Sequence, residues 1–124
     1  MNMILLVALG GAVGSVARYL MASAIQKSSG LQFPLGTVLV NILGCFLIGL
    51  LYVWLVARPD PRPELRVLLM VGVMGGFTTF SSFSLETVTL FMNGSYANAA
   101  LNVVVSVIAC LAGTALAITL ARIT

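Results

Sequence analysis

Four long apolar runs, at residues 3–25, 35–57, 65–92 and 96–121, take up nearly the whole chain, with only short polar breaks between them. A helix needs ~20 apolar residues to cross the hydrocarbon core of a bilayer, and each run meets that length. In lipid the backbone must satisfy its own hydrogen bonds, so such runs read as helices. The breaks are turn-like. The first holds Lys27, Ser28, Ser29 and Gly30 and closes on Pro34; the third is Asn93-Gly94-Ser95. The second, Arg58-Pro59-Asp60-Pro61-Arg62-Pro63-Glu64, alternates prolines that cannot continue a helix interior. The expected architecture is an all-α membrane protein: one domain over residues 1–124 with four transmembrane helices.

Composition agrees. Hydrophobic residues make up 60% of the 124 and charged residues only 7%, against about 25% in a soluble domain. Nine charges cannot cover a water-facing globule of this size, and disorder needs the opposite composition. Histidine is absent, which removes His-based triads, His–metal sites and imidazole proton shuttles. Cys45 and Cys110 stand alone in apolar runs, too few for a zinc cluster or a disulfide scaffold. No enzyme chemistry and no nucleic-acid partner is expected; the bilayer itself is.

Ala22-Ser23-Ala24 resembles a signal-peptidase site, but the first run has no basic segment before it and Arg18 falls just ahead. It therefore reads as a retained span. Arg58, Arg62, Arg66 and Arg122 fall on one side of a four-span chain, and Arg18 and Lys27 on the other. That bias is weak and permits insertion in both orientations.

Small residues recur at four-residue steps: Gly10 and Gly14, Cys45 and Gly49, Gly72 and Gly76, and Ala109, Gly113, Ala117 and Ala121. Such rows let helices approach closely in lipid. The third run differs. Its centre, Gly75-Gly76-Phe77-Thr78-Thr79, is a poor helix, and a break there frees backbone groups that membranes tolerate only when they are covered or face an ion. The alternative is a packing helix with hydroxyls bonded back to their own carbonyls. Beyond it, Phe80 and Phe83 share a face and Ser81 and Ser84 form a neighbouring row. Ring edges attract anions, although two phenylalanines are also ordinary core. Asn98, Asn102, Ser106, Cys110 and Thr114 wind along the fourth run, and Asn41 is the one strong polar group of the second. Asn41 is either a site or a helix-to-helix bond. Arg18 and Glu86 are charges within spans that could pair.

The intramembrane inventory is thus hydroxyls, amides, backbone N–H groups and ring edges. With a net charge of +3, it suits a small hydrated anion better than a cation.

The string Gly75-Gly76-Phe77-Thr78-Thr79-Phe80-Ser81-Ser82-Phe83-Ser84-Leu85-Glu86 resembles the signature of the Fluc/CrcB family of bacterial fluoride channels. Gly10-Gly11-Ala12-Val13-Gly14-Ser15-Val16-Ala17-Arg18-Tyr19 and Pro34-Leu35-Gly36-Thr37-Val38-Leu39-Val40-Asn41-Ile42-Leu43-Gly44 look like that family's first and second helix motifs. The resemblance implies an antiparallel, dual-topology homodimer in the bacterial cytoplasmic (inner) membrane, with the third helix broken near its centre and two pores. It implies passive fluoride export that confers fluoride resistance. Phe80, Phe83 and Asn41 match the family's fluoride contacts, with Ser81, Ser84, Ser106 and Thr114 as a hydroxyl track. Arg18 matches a vestibule or structural charge. A structural sodium ion at the dimer interface is implied, held by the backbone carbonyls of Gly75 and Thr78. A proton-coupled drug antiporter of the small multidrug resistance type is the competing class; it needs an acid in its first helix, and residues 3–25 hold none.

Overall fold

The computed structural model describes residues 2–59 and 62–124; Asp60 and Pro61, read from sequence as part of the second loop, lie outside them. The described residues form helices joined by short turns, with no strand among them, and four helical stretches are long and apolar enough to cross a membrane.

Helix α1 is Met3–Ser29. The Asn2 side chain accepts from the Ile4 N–H at 2.9 Å, a capping bond that serves one of the first turn's unpaired donors. The polar stretch from Lys27 to Ser29, expected as turn, is instead helical. The helix stops only at Gly30, whose φ of 62° is the left-handed conformation that glycine adopts without a Cβ clash. Gln26 then ties down the turn. Its amide nitrogen donates to the Leu31 and Phe33 carbonyls and its oxygen accepts from the Gly36 N–H.

Helix α2 is Leu35–Leu55, two residues shorter than the apolar run, because the Val56 and Ala57 N–H groups both turn onto the Tyr52 carbonyl. The third span, Pro63–Met92, starts earlier than its apolar run. Pro63 and Glu64, expected as loop, form its first turn, where proline's missing N–H costs nothing. Within this span, α3 covers residues 63–77: α-helical at Pro63–Arg66, wider π-helical at Val67–Met74, and α-helical again at Gly75–Phe77. Thr78 (φ −86°, ψ 156°) and Thr79 (φ −150°, ψ 120°) are extended. Helix α4 follows at Phe80–Met92, and a turn through Gly94 (φ 81°) leads to α5, Tyr96–Ile123.

Helix α1 packs chiefly on α3, and α2 on α5. The first contact is backbone on backbone: a Cβ at Gly14 would overlap the Val73 carbonyl oxygen, and one at Gly72 would lie 2.9 Å from the Gly10 Cα. The π-helical turns fall on this contact, and such wide turns are rare outside special packing or functional positions. Val40 of α2 and Met74 and Phe77 of α3 form the buried core, flanked by Met21, Ala22, Leu47, Ile48, Leu51 and Val73. This core holds α3 in place just before the extended pair.

Candidate functional site

The two extended residues are held from α2. Asn41, itself buried, donates from Nδ2 to the Thr79 carbonyl (2.9 Å) and accepts the Thr79 N–H on Oδ1 (2.8 Å). A side-chain amide carries the same donor and acceptor as a peptide, so Asn41 acts as a replacement backbone partner in mid-span. On one side of it, Thr78 directs both its N–H and its hydroxyl onto the Met74 carbonyl, which ends α3. On the other, the Thr79 hydroxyl accepts from the Ser82 N–H (3.2 Å) and caps α4.

These bonds redirect two donors. In a continuous helix the N–H of Thr79 would serve the Gly75 carbonyl, and that of Ser82 the Thr78 carbonyl. Both are turned elsewhere, so Gly75 and Thr78 are left with carbonyls lacking their helical donors. Gly75 is exposed on the chain, with open space around its Cα. Carbonyl oxygens without a hydrogen-bond donor are the ligand type that a hard cation such as sodium takes, so the residues fit the ion implied by the resemblance.

A cleft of about 320 Å³ opens beside the extended pair, lined by Asn41, Cys45, Thr78, Thr79, Phe80, Phe83, Ser106, Val107, Cys110 and Leu111. It gathers Asn41 from α2, Phe80 and Phe83 from α4 and Ser106 from α5. The Phe80 and Phe83 ring centroids stand 5.3 Å apart with their planes tilted by 49°. Phe83 is 9% exposed, while Phe80 is 78% exposed. The cleft also meets the start of α4, whose N-terminal N–H groups present partial positive charge.

Other expected site residues fall outside this lining. Ser81 and Ser84 are exposed on α4, and Thr114 donates to the Cys45 carbonyl at 2.8 Å, joining α5 to α2. Arg18 donates from Nε to the Gly76 carbonyl at 3.0 Å, which anchors α1 to α3 one residue past Gly75. Glu86 instead accepts the Thr37 hydroxyl at 2.7 Å. The pairing of Arg18 with Glu86 that the sequence allowed is therefore replaced by two separate partnerships.

Sequence reading missed the chain of hydrogen bonds behind the cleft. Ser106 donates to Asn102 Oδ1 (3.3 Å), Asn102 Nδ2 to the Thr87 hydroxyl (2.8 Å), and Thr87 to the Phe83 carbonyl (2.7 Å). Asn102 is 1% exposed. Its place one turn before Ser106 was the available signal; its partner on α4 left no trace in spacing.

The family model described as CrcB-like protein, Camphor Resistance (CrcB), matches residues 5–118. Proteins named fluoride-specific ion channel FluC are similar along nearly the whole chain. One from Geobacter sulfurreducens is 48% identical over 122 residues, 98% of each chain. One from Coxiella burnetii is 45% identical over 120 residues, 96% of this chain and 97% of its own. One from a Shewanella species is 49% identical over 111 residues, 90% of this chain and 89% of its own.

Proposed function

We propose that this chain, which belongs to the CrcB family, is a fluoride-selective channel that exports fluoride passively across the bacterial cytoplasmic membrane. It is a multi-pass membrane protein and not an enzyme. The observation that carries the reading is the cleft: an amide, hydroxyls and two phenylalanine rings meet at mid-span without a full charge among them. Weak neutral donors in series let a small anion shed water and still leave. Hydrogen fluoride enters cells as a neutral weak acid and dissociates inside, and the interior-negative potential then drives the anion out through any selective pore. No energy-coupling group is needed. Phe80 and Phe83 would meet the ion with ring edges and Asn41 from its amide, with Ser106 further along. Ser81, Ser84 and Thr114 would extend the hydroxyl path and Arg18 would hold the wall beside it.

The functional unit in this reading is an antiparallel homodimer of dual topology. Three features support it. Phe80, largely exposed on the chain, needs cover. The exposed Gly75 carries a carbonyl without its helical donor, at a depth where lipid tolerates none. The small charge bias permits both orientations. A second copy laid on this face would bring two sets of Gly75 and Thr78 carbonyls together around one sodium ion, with the break at 78–79 at the centre of the pair. Fluoride efflux from liposomes holding the purified protein tests the function.

A further inference from the structure

Cys45 and Cys110 lie 65 positions apart in sequence, yet both line the same cleft. They face it from α2 and α5, helices whose backbones are locked together at this level by the Thr114 hydroxyl on the Cys45 carbonyl. A Cβ added at Gly49 would lie 2.7 Å from the Thr114 carbonyl oxygen, so the two helices are in close backbone contact one turn beyond Cys45. Cys110 stands one helical turn before Thr114, so the bond from Thr114 to the Cys45 carbonyl sets both cysteines at the same level of the cleft wall. Both are free and half-buried. Two sulfurs on a rigid frame, facing a cleft with an opening, form a ligand pair and not two isolated core thiols.

We propose that Cys45 and Cys110 together form a two-coordinate site for a soft, thiophilic cation, of which Hg(II) is the probe. Soft thiolate ligands select soft cations over the hard sodium or magnesium that oxygen donors prefer. Each sulfur forms a bond to the metal as its S–H bond breaks; two protons pass to water and no electron is transferred. Two thiolates neutralise a divalent ion, so the bound complex brings no net charge into a low-dielectric site, where an unpaired charge is costly. The same cleft is lined by the Asn41 amide, the two rings, hydroxyl-bearing residues and the apolar Val107 and Leu111. Occupation of the site would fill the space beside Phe80, Phe83 and Ser106. Block of ion flux by the metal is the part that rests on the channel reading; metal capture by the two thiols does not.

The test uses the whole reduced protein in detergent, loaded with Hg(II) and then challenged with excess monothiol. Native mass spectrometry counts retained metal. Two sulfurs held together should slow loss about a hundredfold relative to Cys45→Ser or Cys110→Ser, because the second thiol acts at high effective concentration. Equal retention by the wild type and either single variant would overturn the proposal. In liposomes the metal should lower fluoride efflux at least about tenfold in the wild type, each variant being compared with its own untreated rate. Tight two-thiol capture with unchanged efflux would keep the metal site and remove the cleft from the conduction path. Loss of capture with efflux intact would remove the metal site and leave the channel reading standing.

Discussion

Asn41 and Thr79 exchange a reciprocal pair of hydrogen bonds, amide to carbonyl at 2.9 Å and backbone N–H to amide oxygen at 2.8 Å. One side chain on α2 thereby supplies partners for both backbone groups of a residue that the third span does not serve from its own helix. The Thr78–Thr79 conformation, the direction of the free carbonyls and the start of α4 all depend on that exchange.

Replacing Asn41 with leucine should therefore damage more than an ion contact. It leaves the Thr79 N–H and C=O without partners, at a cost of about 1–3 kcal/mol for each buried group. Asn41→Leu is expected to lower the unfolding midpoint in detergent and to cut fluoride efflux by at least about tenfold. Asn41→Asp keeps the acceptor and loses the donor, so it should fall between the two. Wild-type stability in Asn41→Leu would contradict the role assigned to the exchange.

The rings separate pore function from stability. Phe80 is 78% exposed on the chain and Phe83 is 9% exposed. Both substitutions to isoleucine remove an edge, so each should reduce fluoride efflux at least about tenfold. Only Phe83→Ile should also lower chain stability, by about 1 kcal/mol or more, since it alone loses buried packing. Unchanged efflux in both variants would remove the ring edges from the conduction path.

A close helix crossing makes a sharper demand on Gly14 than on its neighbour Gly11. A Cβ at Gly14 meets the Val73 carbonyl oxygen, whereas one at Gly11 meets nothing within 4 Å. Gly14→Val should fail to give a folded membrane protein, or give one destabilised by at least ~3 kcal/mol, while Gly11→Ala stays within about 0.5 kcal/mol of wild type. Size-exclusion profiles and thermal melts in detergent report both. A well-folded Gly14→Val protein would show that α1 and α3 do not pack through their backbones.

Removal of sodium tests the carbonyls of Gly75 and Thr78. Dialysis into a buffer with a large organic cation in place of sodium should shift the protein from dimer to monomer on native gels. Lithium or potassium should restore it less well than sodium. The same dimer fraction in every cation would set the sodium proposal aside without touching the cleft.

Much of this molecule is written in residue type and run length. The spans follow from the length of the apolar runs, and Asn41, Phe80, Phe83 and Ser106 stand out because polar or aromatic groups at such depth need a reason. What stayed hidden is what depends on backbone partners. Arg18 has its bond with the Gly76 carbonyl and not with Glu86, and a carbonyl has no sequence letter. Nothing in Val67-Leu68-Leu69-Met70-Val71-Gly72-Val73-Met74 announces a π-helix; it arises where α3 meets the glycine face of α1. The helical path of Lys27 to Ser29 was hidden because Gly30, three residues past Lys27, is the true stop. The link from Asn102 to Thr87 joins two helices whose relative rotation no spacing within either one encodes.

The most direct measurement is ion efflux from liposomes reconstituted with the purified protein, loaded with potassium fluoride or potassium chloride and released by valinomycin. A fluoride-selective channel is expected to empty fluoride-loaded liposomes within seconds and to leave chloride trapped at the rate of protein-free liposomes. Equal release of the two anions, or fluoride release no faster than from protein-free liposomes, would contradict the account.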